Sequence, residues 1–273
     1  MLKVALTGPN GLIGSHLLEL GDEETVFIPL SHDRIEITDQ SSTHQVLGEI
    51  DFDILLHLAA YTDVEGAERE KDKAYQINVI GTKNISEVVT KKNKKMIYVS
   101  TDFVFDGVNP PFYEDSKTNP QGYYGWTKYE GEKVLNDNAM IVRISYPYGS
   151  SNPGRPDFSS RIQKLLEKGS SLTMITDSSI TPTFIGDICH GLYHLLNSFS
   201  PEVYHLVGSE SLSPYEAGLK IAEVYSLDKN LIKPIKFSEF SKGKAPRPQF
   251  SEIKSKKNDF QKMKGFEPKR NST

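Results

Sequence analysis

Apolar positions along the chain switch between two rhythms. LKVALTG (2–8), TVFIPL (25–30), DILLHLAA (53–60), MIYVS (96–100) and MIVRIS (140–145) are short, nearly unbroken apolar runs. Runs of this length bounded by turn residues predict strands, and strands apolar on both faces belong in parallel sheets covered by helices. Between them the spacing becomes helical. Residues 12–20 put Leu12, Ile13, Leu17 and Leu18 on one side, and residues 73–91 and 124–136 also read as helices. Strand–helix alternation of this kind predicts an α/β fold, a Rossmann-type doubly wound parallel sheet.

After about residue 150 the rhythm changes. Pro and Gly punctuate 147–156. Helices are expected over 158–168, 186–197 and 213–225, with strands at 172–176 and 203–208. The expected organisation is a nucleotide-binding domain over 1–150. Residues 151–273 then form mainly a smaller C-terminal α/β substrate lobe, with segments able to return to the first domain.

Composition narrows the class. The 273 residues are 37% hydrophobic and 25% charged, which suits a packed core. A single cysteine, Cys189, excludes an internal disulfide framework. No stretch approaches the roughly 20 apolar residues of a membrane span, and MLKVALTG lacks the pattern of a secretory signal. A soluble, cytoplasmic protein with no membrane partner is expected. The net charge of −4 speaks against nucleic-acid binding. The charge is uneven: residues 1–150 carry 14 Lys/Arg against 23 Asp/Glu, and residues 151–273 carry 18 against 13. Solvated faces explain this. It also fits a C-terminal lobe that meets an anionic ligand group.

The first run leads into Gly8-Pro9-Asn10-Gly11-Leu12-Ile13-Gly14, a G-x-x-G-x-x-G turn opening a helix. Its glycines allow a tight turn, close approach to a pyrophosphate and close helix–strand packing; the helix N-terminus faces the anion. A nicotinamide dinucleotide is the expected ligand. The second strand ends at Ser31 rather than at an acid, and Ser31 with Arg34 could hold a 2′-phosphate. NADP(H) is therefore favoured, while Asp33 keeps NAD(H) open.

Tyr124-Gly125-Trp126-Thr127-Lys128 places a phenol and an ammonium four residues apart on one helix face. A nearby cation lowers a phenol's pKa, so this tyrosine is expected to be tuned for proton transfer to an alkoxide. Ser100 and Thr101 end a strand at the carboxyl edge of the sheet, where ligands bind in such folds.

With these motifs the chain resembles the extended short-chain dehydrogenases/reductases, and among them the dTDP-4-dehydrorhamnose reductase (RmlD-like) family. The resemblance is carried by TGPNGLIGSHL (7–17), LHLAAYTDVEGAE (56–68), INVIGT (77–82), VSTDFVFDG (99–107), YYGWTKYEGE (123–132), ITPTF (180–184), YHLVG (204–208) and RPQFS (247–251). It implies reduction of the C4 keto group of a nucleotide-diphospho-4-keto-6-deoxy sugar. It also implies Thr101, Tyr124 and Lys128 as the catalytic set, with Lys128 on the nicotinamide ribose. Gly8, Asn10, Gly11, Leu12, Ile13 and Gly14 would surround the pyrophosphate. Glu36 and Ile37 would lie at the adenine, Ala59, Ala60 and Tyr61 along the cofactor, and Asn78 would be structural or cofactor-facing. Thr62, Asp63 and Val64 would sit near the sugar, Tyr146 near the nucleotide base and Arg247 at the diphosphate. Asp102 would contact substrate or anchor its loop.

Phe250, Thr181 and Tyr146 depart from the family's usual residues, and all lie toward the substrate. Two alternatives share the motifs: a sugar-nucleotide epimerase holding NAD tightly, and a non-catalytic regulatory subunit like the beta subunit of methionine adenosyltransferase. Elsewhere His57 is expected as a satisfied buried histidine and Cys189 as packing. The histidines show no metal-ligand spacing. A monomer or a homodimer is expected.

Overall fold

A computed structural model describes residues 1–21, 23–150 and 154–268. Its central sheet has six parallel strands in the order β2-β1-β3-β4-β5-β9. They are β1 (Leu2–Thr7), β2 (Thr25–Leu30), β3 (Ile54–His57), β4 (Lys95–Thr101), β5 (Ala139–Ile144) and β9 (Val203–Leu206). In β3 all four residues are buried, as a strand covered on both faces requires. One face packs Val4, Leu6, Leu56 and Val142 against α8 (Ile185–Asn197) and α1 (Leu12–Glu19). The other packs Ala5, Leu30 and Leu55 against α2 (Gln40–Glu49) and α5 (Thr82–Lys91). The strand order reverses between β1 and β3, so the loops leaving their carboxyl ends diverge and open a crevice there.

Two helical stretches differ from the sequence expectation. The expected helix over 73–91 is three pieces: α4 (Lys71–Tyr75), a π-helical turn (Gln76–Gly81) and α5. The wide turn carries Asn78, whose side chain bridges the Tyr61 backbone and Thr127 Oγ1. The α2 segment, QSSTHQVLGE, has too few apolar residues to announce itself. It is held by its ends. Asp39 caps the first turn by accepting from Ser41 N and Ser42 N, and Lys92 Nζ donates to the carbonyls of Leu47, Gly48 and Ile50.

α3 (Val64–Arg69) follows β3, and α6 (Tyr123–Lys133) precedes β5. Beyond β5 the chain forms β6 (Pro147–Tyr148), α7 (Phe158–Glu167), β7 (Leu172–Ile175) and β8 (Thr183–Phe184). It then returns to the central sheet through α8 and β9. α9 (Pro214–Val224), β10 (Ile232–Ile235) and α10 (Phe237–Phe240) complete the described elements. β7 pairs with β10 and β6 with β8, forming two separate two-stranded sheets. No helix among the described residues is long and apolar enough to cross a membrane.

Candidate active site

The crevice at the strand-order reversal opens into a cavity of about 1010 Å³. Its floor is the loop after β1. Gly8 lies at φ +68°, and a Cβ there would stand 2.8 Å from Ala59 N in the loop after β3. At Gly14 a Cβ would stand 2.3 Å from Gly8 O. Glycine at these two places lets the helix end, the loop and the β3 edge meet, which leaves the α1 N-terminus facing the cavity.

Of the sequence-predicted residues, Gly8, Asn10, Gly11, Leu12, Ile13, Gly14, Ser31, Glu36, Ile37, Ala59 and Ala60 line this cavity. So do Thr62, Val64, Ser100, Thr101, Asp102, Tyr124, Lys128, Tyr146 and Arg247. Four do not. Arg34 is exposed and its guanidinium donates to Pro29 O. Tyr61 hydrogen-bonds Glu70 Oε2 at 2.5 Å on the outer side. Asp63 caps α3 by accepting from Gly66 N. Asn78 is buried in the clamp described above, which makes it a structural group.

Residues not foreseen complete the walls. His32 and Thr38 join Glu36 at one end, where Glu36 accepts from the Thr38 backbone and hydroxyl. Phe103 stands edge-on to the Tyr124 ring at 5.5 Å. Arg155 joins Arg247 on the far side, so the basic C-terminal half does supply cations to the cavity. Arg247 is tied to Glu65 by an ion pair, with its Nε donating to Ala245 O. Little in a single sequence marks these positions, because they come from loops that meet only in the fold.

Thr101 ends β4 and Asp102 follows it, while Tyr124 and Lys128 lie on α6, and all four line the cavity. Lys128 is buried; its Nζ donates to Val99 O at 2.9 Å and lies 4.1 Å from the centre of the Tyr98 ring. Burial pushes its pKa down to about 7. Tyr124 is pushed up to about 12, again by burial, against a hydrogen bond shared with Thr101. This corrects the expected lowering by Lys128: burial dominates the phenol, and burial also disfavours the charge on Lys128 that was expected to lower it. Asp102 is 3% exposed and raised to about 6 by burial. It accepts from Thr101 Oγ1 (3.1 Å) and Ser145 Oγ (3.0 Å) and shares a further hydrogen bond with Ser251.

His57 bonds Thr7 and Thr82 through its two ring nitrogens, and burial lowers it to about 3, so it is a neutral core group. Cys189 is fully buried in the core against α1. Trp126 stacks on Tyr75 outside the cavity wall. Among the described residues no cluster of three His, Cys, Asp or Glu could hold a metal.

The parallel sheet, the glycine crevice and the Tyr-x-x-x-Lys helix under one cavity define a nicotinamide-dependent oxidoreductase of the extended short-chain dehydrogenase/reductase class. The family model described as RmlD substrate binding domain matches residues 2–271, and the chain belongs to that family. It is 32% identical to the spore coat polysaccharide biosynthesis protein SpsK of Bacillus subtilis, over 92% of this chain and 88% of that one. It is 28% identical to the beta subunit of bovine methionine adenosyltransferase 2, over 90% and 78%. A solved dTDP-4-dehydrorhamnose reductase from Bacillus anthracis in complex with NADP superposes with a TM-score of 0.86 at 33% identity, covering 93% of this chain and 90% of that one.

Proposed function

We propose that this chain reduces the C4 keto group of a nucleotide-diphospho-4-keto-6-deoxy sugar, in its most specific form dTDP-4-dehydro-L-rhamnose to dTDP-L-rhamnose. The single observation that carries the reading is the convergence of Thr101, Tyr124 and Lys128 on the cavity that the glycine loop floors. Two features fit a dinucleotide: the Gly8–Gly14 cradle, which a Cβ would fill, and Ser100 Oγ, buried in the cavity wall with no hydrogen-bond partner among the described residues. NADPH, favoured over NADH by the strand end at Ser31 and by the likeness to an NADP-bound reductase, supplies the hydride when bound.

The chain's own residues then divide the work. Tyr124 keeps its proton at neutral pH because its pKa is near 12, so it can donate that proton to a carbonyl oxygen becoming an alkoxide. Thr101 borders the same oxygen. Lys128 would hold the cofactor's ribose hydroxyls, close to Val99. Arg155 and Arg247 face the diphosphate, where a guanidinium fork matches phosphate oxygens. Thr62 and Val64 border the sugar, while Phe103 and Tyr146 wall the side where the base would lie.

The test is loss of reduced-nicotinamide absorbance with enzymatically prepared dTDP-4-dehydro-L-rhamnose, using NADPH and NADH in parallel. Turnover supports the reading, and the two rates rank the cofactors. Net turnover of neither, with tightly retained NAD and an epimerised sugar, would replace it with an epimerase. The likeness to the methionine adenosyltransferase beta subunit favours one second reading, a regulatory subunit; capture of a larger enzyme with no reductase activity on any keto sugar would establish it.

A further inference from the structure

Thr101 has one hydroxyl proton and more than one acceptor for it. In the structure it donates to Asp102 Oδ1, while Phe103 N donates to it. Tyr124 also shares a hydrogen bond with this hydroxyl. A proton held by the carboxylate is not available to an oxygen in the cavity. We propose that Asp102 is a positioning residue: by holding or losing a proton of its own, it decides whether the Thr101 hydroxyl points into the carboxylate or at the reacting oxygen.

The inference rests on the reductase reading above. An ionised carboxylate only accepts hydrogen bonds, and strongly. A protonated carboxyl can itself donate to Thr101, which frees the threonine proton for the cavity. No bond other than O–H changes. The proton that Asp102 takes up comes from solvent, and the threonine keeps its own.

The geometry is built to hold this carboxyl still. Ser145 Oγ donates to Oδ2, and Ser251 reaches it from the C-terminal segment. Tyr146, next to Ser145, lies at φ +39°, a backbone conformation that costs energy in a non-glycine residue and clusters at functional sites. The titratable groups facing Asp102 are Tyr124 from α6 and Tyr146 after β5, both raised phenols and so neutral near pH 7. Arg247, from the C-terminal segment, bears on Tyr146 and pairs with Glu65. Hydroxyls, burial and its own backbone govern Asp102, and its titration lies near pH 6.

The test is the pH dependence of kcat for keto-sugar reduction. In the wild type kcat should fall about 2- to 10-fold as pH rises through about 6, the worth of one hydrogen bond, with KM unchanged. Asp102→Asn should lose the step near 6 with KM unchanged, any change near 7 in that variant belonging to Lys128, and Thr101→Ser should keep the step. A flat wild-type profile, or a step that survives in folded Asp102→Asn, overturns the proposal. Infrared difference spectra read the carboxyl without turnover. A protonated-carboxyl band titrating near pH 6 in the wild type and missing in Asp102→Asn supports it; no such band overturns it. A titrating band in a protein that reduces no keto sugar refutes the reductase reading instead. A flat profile with turnover intact refutes the Asp102 proposal alone.

Discussion

The floor of the cavity and its far wall are made differently. The floor comes from loops that directly follow β1 and β3, and it is held by backbone contacts, with Gly8 against Ala59 and Gly14 against Gly8. The far wall collects Phe103, Tyr146, Arg155 and Arg247 from four separate segments, tied by side chains such as the Arg247–Glu65 ion pair. A floor of backbone tolerates almost no substitution. A wall of side chains can be exchanged residue by residue. Shared chemistry with variable substrate choice follows from that contrast.

The sharpest way to break the comparison is at the junction of the two regions. Tyr124→Phe should lower kcat by roughly 10²–10⁴, the range of a general acid, with cofactor affinity intact in a binding titration. Near-normal turnover would remove Tyr124 from the mechanism. Gly14→Ala forces a Cβ within 2.3 Å of Gly8 O and should cost about 1–3 kcal/mol, read as a lower Tm and weaker cofactor binding together. Arg247→Ala should raise KM for the nucleotide sugar about 10- to 100-fold, as loss of a charged hydrogen-bond partner does, and leave cofactor affinity alone. If both affinities fell equally, the floor and the wall would not be separable.

Acid should weaken the core beneath both regions. His57 titrates near 3 and His205 near 4 in the fold, against 6.5 for an ordinary histidine. Below pH 6.5 the unfolded chain binds protons that these two refuse. Stability is therefore complete above 6.5 and falls toward pH 4, by up to about 1.4 kcal/mol per pH unit for each histidine. Asp102 opposes this between 6 and 3.8, because the fold binds its proton first. Tm against pH should flatten in His57→Gln and steepen in Asp102→Asn. The smallest effect expected is Arg34→Ala, which should shift NADPH affinity by no more than about 0.5 kcal/mol, since the side chain faces Pro29 O. A large loss would restore Arg34 to the cofactor site.

Legibility in the sequence followed the same division. Strands β1, β3, β4 and β5 and the glycine turn announce themselves because burial on two faces and a tight turn leave local marks, while β2, at the sheet edge, shows as a short apolar run. Tyr124 and Lys128 share a helix, so their spacing is visible too. Ser145 and Ser251 could not be read as partners of Asp102, because one follows β5 and the other lies in a segment that docks only when the chain has folded. Arg34 and Tyr61 lie off the cavity for a related reason. Adjacency in sequence says which loop holds a side chain, not which way it turns. The expected lowering of the phenol fails likewise, since four-residue spacing establishes a shared face and says nothing of the burial that raises Tyr124 and lowers Lys128.

The return of the chain to its first sheet has a consequence for synthesis. β5 acquires its outer neighbour only when Val203–Leu206 arrives, after a whole lobe has been made. Until then a growing chain carries an open strand edge, the kind of surface that invites wrong pairing. Ser251, on Asp102, arrives later still. A polypeptide still on the ribosome thus holds its glycine loop well before the surroundings of Asp102 are complete, because the Ser251 hydroxyl comes from a segment made after every strand of the central sheet.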